Sequence, residues 1–203
     1  MNLVTPSLLD ATSLLKNGNT IPLCCSISAE ITPIAAYLKL THKSNMRSFL
    51  FESVLGGEKI GRYSMVGVQS SDELLISVGE DPLPAIESKL KKIRQVSHPD
   101  LPPFTGGAVG FISYDCVNYF EPSTKNKLIE PLGLPESLMM FCKTVIIFDH
   151  LYAIIKVVSN IILDDSECSN DDPEIFQTRY KEAVNQIRDI VGLLRADFVS
   201  YSS

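Results

Sequence analysis

The segment Arg47–Gln69, RSFLFESVLGGEKIGRYSMVGVQ, is the part of the chain around which the predicted fold is arranged. It contains two apolar runs separated by a loop with three glycines, a pattern that predicts two strands joined by a turn. Successive residues of a strand point to opposite faces. We therefore expect Ser53 to share a face with Phe49 and Phe51, and Glu52 to lie on the other face.

The carboxylate of Glu52 has two interpretations. A charged group in a buried strand requires a cation or several hydrogen-bond donors, so Glu52 and Arg62 are expected to form an ion pair, with Ser53 packed beside them. The alternative is an amino-acid site, which needs acceptors for an ammonium group, donors for a carboxylate and an apolar slot. Here these groups are Glu52, Ser53, Arg62, Phe49, Phe51, Tyr63 and Met65. The residue chemistry alone favours the ion pair.

Outside this segment, hydrophobic spacing predicts strands and helices without regular β-α-β alternation. The predicted strands are 21–27, 73–78, 107–114, 138–149 and 151–163. Each predicted helix begins at a proline that follows a capping Thr or Asp; these prolines are Pro6, Pro33, Pro82 and Pro173. The fold class is therefore α+β, with mixed, largely antiparallel sheets and flanking helices.

The composition excludes several classes of protein. The 203 residues are 45% hydrophobic and carry a net charge of −6, which gives no indication of a nucleic-acid or membrane partner. No apolar run has the length of a membrane span, and the first residues lack the pattern of a secretory signal. The five cysteines have no C-x-x-C spacing, which favours free thiols in the cytoplasm.

No familiar active site or metal site is indicated. The histidines are far apart in the sequence, and none is spaced from a cysteine or a carboxylate as metal ligands usually are. The glycines of Gly106–Gly110 lead into a strand without a following Gly-Lys-Ser/Thr, so a strand bulge is favoured over a nucleotide site. We predict no catalytic residue and no metal ligand in this chain.

Three stretches resemble the N-terminal region of anthranilate synthase component I, most closely its fungal members. FLFESVLGGEKIGRYSMVG is similar to the family's E-S…R-Y-S segment. Gly106–Pro122, GGAVGFISYDCVNYFEP, is similar to its G-G-x-x-G-[YF]-x-S-Y-D segment. Leu134–His150, LPESLMMFCKTVIIFDH, is similar to its L-P-[DE] segment and following strand. The resemblance runs from about Ile21 to about Leu194. It implies a domain over 1–194, with a linker start or a non-native tail over 195–203.

The resemblance also implies a ligand. In this family the E-S segment forms part of the site through which L-tryptophan inhibits the enzyme. Ser53 takes the place of the characteristic serine ligand, with Glu52 beside it, and Phe51 stands where the family commonly has leucine. The other residues that the resemblance assigns to this site are Val54, Arg62, Tyr63 and Met65.

Family members have a longer C-terminal half that this chain lacks. That half supplies Mg²⁺ ligation, the chorismate pocket, the catalytic residues and an N-P-S-P-Y-M-type segment that closes the tryptophan pocket. The resemblance therefore implies a regulatory and structural domain that is not catalytic alone and holds no cofactor. The implied partners are L-tryptophan, the chorismate-binding C-terminal domain and a glutamine amidotransferase, component II. The complete enzyme is a lyase that makes anthranilate and pyruvate from chorismate and glutamine or ammonia, the first step of tryptophan biosynthesis.

Three alternatives remain open from the sequence. The chain resembles, less closely, aminodeoxychorismate synthase component I, which shares the architecture. It is also compatible with a free-standing tryptophan-binding or assembly module, or with a truncated product whose interdomain surface is bare. The sequence of the missing half would decide between anthranilate synthase and aminodeoxychorismate synthase. Tight tryptophan binding by the isolated chain would indicate the free-standing module.

Overall fold

The computed structural model describes residues 3–42, 46–52, 61–70, 72–124, 133–164, 167 and 173–196. The helices are α1 (Leu8–Leu14), α2 (Pro33–Thr41), α3 (Pro82–Leu90) and α4 (Pro173–Arg195). The strands are β1 (Thr20–Ser28), β2 (Arg47–Phe51), β3 (Tyr63–Ser70), β4 (Asp72–Ile76), β5 (Gly107–Ile112), β6 (Ser137–Cys142), β7 (Thr144–Asp149) and β8 (Ile154–Ile162). Short 3₁₀ turns cover Leu15–Asn17, Tyr114–Tyr119 and Pro122–Thr124.

The strands form two antiparallel sheets. One has five strands in the order β1-β8-β7-β3-β2, and the other has three in the order β4-β6-β5. Helices α1, α2 and α4 cover one face of the larger sheet, where their apolar side chains form the main core with alternate residues of the strands. This arrangement confirms the predicted α+β class with flanking helices. The proposed tail, 195–203, lies mostly outside the described residues.

The proline-based helix starts are correct at two places and wrong at one. Thr32 accepts a hydrogen bond from the N–H of Ala35, and Asp81 accepts one from the N–H of Leu83, each just before a proline in the first turn. The first helix instead begins at Leu8 with Ser7 as its cap. The reason is that Thr5 pairs with Cys24 through two backbone hydrogen bonds of 2.9 and 2.7 Å, which holds the chain extended there. Asp172 lies outside the described residues.

The predicted strand 138–149 is wrong as a single strand. It divides at Lys143 into β6, in the small sheet, and β7, in the large one. The backbone N–H and the side-chain Nδ2 of Asn160 both donate to the carbonyl oxygen of Lys143, at 2.9 and 3.0 Å. This fixes the point at which the chain passes from one sheet to the other.

The Gly-Gly pair before β5 has a packing role. A Cβ on Gly106 would lie 2.5 Å from Nδ2 of Asn160 and 2.8 Å from the carbonyl oxygen of Cys142. Nδ2 of Asn160 also donates to the carbonyl oxygen of Thr105, and its Oδ1 accepts from Gln95. The glycine therefore allows a buried polar network to join the two sheets. The predicted strand bulge is wrong, because β5 pairs with β6 in regular register from Gly107 to Ile112.

Candidate functional site

The first predicted site residues lie where β2 ends. The strand stops at Phe51, and Glu52 follows it in an exposed position. The expectation of a carboxylate inside a buried strand is therefore wrong, because water can solvate Glu52 where it stands. Ser53 and Val54 lie outside the described residues, so their assignment stays a prediction.

Three of the predicted residues meet on one face of the larger sheet. Phe51 is directly opposite Met65 in the β2–β3 pair, and Tyr63 is two residues from Met65 along β3. Tyr63 and Met65 are half-buried against a smaller apolar cluster that is separate from the main core and contains Phe49. The ring of Phe51 is 4.9 Å from that of Phe49 and is 56% exposed. These side chains form an apolar wall that is open on its outer side.

Beside this wall, the close approach of β2 to β3 depends on a glycine of β3. Gly67 is opposite Phe49 in the strand pair. A Cβ on Gly67 would lie only 2.0 Å from the ring of Phe49, so the ring lies directly over the glycine backbone. This places Phe49 in the core and leaves Phe51, the next residue on that face, at the open end of the wall.

Arg62 has a different partner from the one predicted. Its Nη2 donates to Oδ2 of Asp149 at 2.9 Å, and its Nε lies 3.3 Å from both carboxylate oxygens. The guanidinium carbon also lies 4.8 Å from the ring centre of Tyr63 and 5.2 Å from that of Tyr152. The Glu52–Arg62 ion pair is therefore wrong. Asp149 engages Nε and Nη2, so a ligand carboxylate in this position would have to meet Nη1.

Asp149 is a buried carboxylate at the turn after β7. It accepts hydrogen bonds from Arg62 and from the backbone N–H groups of Leu151 and Tyr152, at 3.1 and 3.4 Å. Burial alone would raise the pKa of Asp149, but these donors and the charge of Arg62 outweigh it and hold the pKa below the ordinary value. Asp149 therefore closes the turn after β7 through its two backbone bonds, and its ion pair with Arg62 is a contact that the sequence did not reveal.

A second contact joins the same two segments. The hydroxyl of Ser64, which is fully buried, lies 2.7 Å from Nε2 of His150, and the backbone N–H of His150 donates to the carbonyl oxygen of Arg62 at 2.9 Å. The R-Y-S motif is thus tied to the Asp-His pair that ends the third motif. These contacts fix the start of β3, which carries Tyr63 and Met65.

Glu136 is a buried carboxylate that the sequence interpretation did not single out. The hydroxyl of Ser113 donates to its Oε2, and the hydroxyl of Tyr119 donates to its Oε1 at 3.1 Å. The thiol of Cys116 lies 3.7 Å from Oε2. The second and third motifs therefore meet here. Glu136 is the acidic residue of the L-P-[DE] segment, but the sequence did not indicate its partners.

These hydroxyl groups determine the charge of the cluster. The hydrogen bond from Ser113 lowers the pKa of Glu136, against the opposing effect of burial. Burial, together with the hydrogen bond to Glu136, raises the pKa of Tyr119 to about 12. The Glu136 carboxylate is therefore charged at neutral pH, and the neutral hydroxyl groups of Ser113 and Tyr119 donate to it.

A cavity of about 750 Å³ lies elsewhere, between the ends of β6, β8 and α3 and one side of α4. It contains none of the predicted site residues. Lys89 lines it and is already paired with Asp72 over the ring of Phe141. The cavity is therefore separate from the apolar wall of Phe51, Tyr63 and Met65.

In the part of the chain that the structure describes, no group of three or more His, Cys, Asp or Glu residues could hold a metal ion. Over the same ranges, none of the helices is both long and apolar enough to cross a membrane. Cys24, Cys25, Cys116 and Cys142 are free and buried. Burial raises the pKa of Cys24 and of Cys142 to about 11, so both thiols are protonated at neutral pH.

Comparison with known proteins gives one consistent result. The chain is 42% identical over 148 residues to the probable anthranilate synthase component 1 of Schizosaccharomyces pombe, covering 72% of this chain and 30% of the relative. It is 35% identical to the Saccharomyces cerevisiae anthranilate synthase component 1, and the match covers 84% of this chain and 34% of that relative. It is 38% identical to the anthranilate synthase component 1 of Pseudomonas putida, and the match covers 73% of this chain and 33% of that relative. No protein-family model matches the chain.

A solved structure is also similar. The crystal structure of anthranilate synthase component I from Streptococcus pneumoniae aligns with 85% of this chain and 37% of its own, at 18% identity and a TM-score of 0.48. The chain spans about a third of the length of the curated relatives and corresponds to their N-terminal part. These relatives are all anthranilate synthase component 1 proteins, and the predicted resemblance to the N-terminal region of that family, including the similarity to its fungal members, is confirmed.

Proposed function

We propose that this chain is the regulatory and structural N-terminal domain of an anthranilate synthase component I and carries part of its L-tryptophan feedback-inhibition site. The observation that supports this most is the apolar wall of Phe51, Tyr63 and Met65, with the exposed Glu52 directly after Phe51 in the chain. An indole needs a flat apolar surface, and the ammonium group of an amino acid needs an acceptor close to it.

Each proposed residue has a distinct role in that site. The wall contacts the indole ring, and the Glu52 carboxylate or its main-chain carbonyl accepts from the ammonium group. Ser53 is the side-chain hydroxyl ligand. Arg62 supports the pocket through its bond to Asp149, which fixes the segment that enters β3. Val54 completes the apolar lining.

The open side of the wall supports an incomplete site. Phe51 is 56% exposed, whereas a small-molecule site usually encloses most of its ligand. We infer that the other side comes from the C-terminal part of the family protein. Inhibition is then a coupling between the tryptophan site and a chorismate site in that part.

The remaining proposals concern the whole protein. It converts chorismate and glutamine or ammonia to anthranilate and pyruvate, with component II as the glutaminase partner, in the cytoplasm. Mg²⁺ and the catalytic residues belong to the C-terminal part, and this chain provides none of them.

The test is a fusion of this chain to the remaining part of the Schizosaccharomyces pombe relative. We expect the fusion to form anthranilate and to be inhibited by L-tryptophan, and the chain alone to bind L-tryptophan at least tenfold more weakly in titration calorimetry. An active fusion that L-tryptophan does not inhibit would contradict the regulatory assignment. Equally tight binding by the chain alone would favour the free-standing module.

A further inference from the structure

In the part of the chain that the structure describes, the two sheets have four edges, and three of these edges are protected. Strand β1 is paired at Cys24 with Thr5 and contains Pro22. The β2–β3 register shifts between Arg47 and Phe49, as in a bulge. Bridging residues, bulges, prolines and charges are the devices that keep natural sheet edges from pairing with other chains.

The edges of the small sheet differ from each other. Strand β4 begins with two charged residues. Asp72 forms an ion pair with Lys89, and Glu73 forms one with Arg47. Strand β5, GAVGFI, contains no charged residue and no proline. Among the described residues, β5 therefore has none of the charges, prolines or bulges found at the other three edges.

The backbone of β5 presents hydrogen-bonding groups on its outer side. The N–H of Ser113 donates to the carbonyl oxygen of Glu136 at 2.8 Å, and the register is regular from there along β5. In an antiparallel pair these bonds alternate from residue to residue. The N–H groups of Ala108, Gly110 and Ile112 consequently point away from β6, and no strand among the described residues pairs with them.

Large apolar side chains are exposed at the same end. Phe111 is 43% and Ile112 42% exposed. Phe111, Leu138 and Leu75 form one row across the three strands, and Leu75 is 52% exposed. A strand added beside β5 would cover Phe111 and Ile112 on its two faces while it pairs with the outward-facing N–H groups.

We propose that the β5 edge accepts a β-strand from the part of anthranilate synthase component I that this chain does not contain. This rests on the proposed function, and it names a contact with that partner distinct from the tryptophan wall. The chain corresponds to 30–34% of the three relatives compared above, so the family protein has ample further chain to supply a strand. Strand addition gives affinity through main-chain hydrogen bonds and specificity through alternate side chains.

Hydrogen–deuterium exchange of this chain and of its fusion to the rest of the Schizosaccharomyces pombe relative tests the proposal. We expect the outward amides of peptide 107–113 to exchange at least tenfold more slowly in the fusion, while the amides of β7 are protected in both proteins. Equal exchange of peptide 107–113 in the two proteins would overturn the proposal.

A pair of proline variants tests the edge in the chain alone. Ile112→Pro removes an outward N–H and should leave the melting temperature nearly unchanged, because edge strands tolerate proline where the N–H faces solvent. Phe111→Pro removes a backbone hydrogen bond to β6 and should clearly lower the melting temperature. Equal losses would show that the edge is already paired. Light scattering that shows a dimer of the chain, dissociated by Ile112→Pro, would make a second copy the occupant and overturn the assignment.

The same fusion separates this proposal from the proposed function. If it forms anthranilate and responds to L-tryptophan but leaves β5 unprotected, the strand-addition proposal alone is wrong. If β5 becomes protected but no anthranilate is formed, the functional proposal alone fails.

Discussion

Arg62 and Asp149 are joined by a 2.9 Å hydrogen bond between Nη2 and Oδ2, with the carboxylate buried and the guanidinium partly exposed. The pair links the residue that precedes β3 to the turn that follows β7. It draws the guanidinium towards Tyr63 and Tyr152 rather than towards Glu52. Arg62 is therefore a positioning residue for the start of β3, and among the described residues its carboxylate partner is Asp149 rather than Glu52.

Acid titration should reveal the charge on Asp149. Its pKa is lower in the folded protein than the ordinary value of 3.8, so the carboxylate stabilises the fold above pH 3.8 and this contribution is lost as the pH falls through the folded pKa. We expect the difference in unfolding free energy between wild type and Asp149→Asn, measured by urea denaturation, to be constant near neutral pH and to shrink below pH 3.8. Arg62→Gln should move this loss to higher pH. A difference that does not change down to pH 2 would contradict the assignment.

The Ser113–Glu136 contact can be tested with a matched pair of serines. Ser113→Ala removes a donor from a buried carboxylate and should destabilise the protein by about 1–3 kcal/mol, the usual scale for hydrogen bonds to charged groups. Ser123 also donates to a glutamate, Glu121, but at an exposed site, and Ser123→Ala should change stability by less than about 0.5 kcal/mol. Chemical denaturation of both variants gives the comparison, and equal losses would refute the structural role of the Glu136 cluster.

Two glycines should respond in opposite directions to alanine. Gly106→Ala places a Cβ 2.5 Å from Nδ2 of Asn160, and we expect a loss of about 1–3 kcal/mol, typical of overpacking. Gly192 lies within α4, and a methyl group added there would meet no atom within 4 Å, so Gly192→Ala should stabilise by about 0.5–1 kcal/mol through helix propensity. Thermal and urea unfolding measure both. A neutral Gly106→Ala would mean that the Asn160 network is not tightly packed.

Sequence periodicity was sufficient where structure is local. The two strands of the organising segment, the caps at Thr32 and Asp81 and the long amphipathic helix α4 depend on neighbouring residues, and each was predicted correctly. The apolar wall followed from the same alternation, since Phe51 and Met65 face each other on adjacent strands.

Long-range contacts were beyond that reasoning. Both halves of 138–149 are apolar, so the pattern could not show that the chain changes sheets at Lys143. The partner of Arg62 is 87 positions away in the sequence, and nothing local distinguishes it from Glu52. The pairing of Thr5 with Cys24 displaced a helix start that local capping rules had supported.

Glu52 is expected to bind the ammonium group of L-tryptophan in the fusion protein. Glu52→Gln keeps the size of the side chain but removes its charge, and should weaken tryptophan binding by roughly 1–3 kcal/mol. Titration calorimetry measures the affinity. Glu73→Gln is a suitable control, because Glu73 is an exposed carboxylate paired with Arg47 on the small sheet and should leave the affinity unchanged. Unchanged affinity in Glu52→Gln would mean that the main-chain carbonyl or another group accepts from the ammonium.

Ser53 gives the sharpest test of the regulatory site. In the fusion, Ser53→Ala removes the proposed hydroxyl ligand and Ser53→Phe is expected to block the proposed pocket, so both should abolish inhibition by L-tryptophan. Turnover should stay close to that of the unmodified fusion, because the proposed function places the catalytic residues in the C-terminal part. Steady-state assays of anthranilate formation with increasing L-tryptophan separate the two properties. Loss of turnover with inhibition retained would refute the assignment, since it would place Ser53 in the catalytic machinery rather than in the sensor.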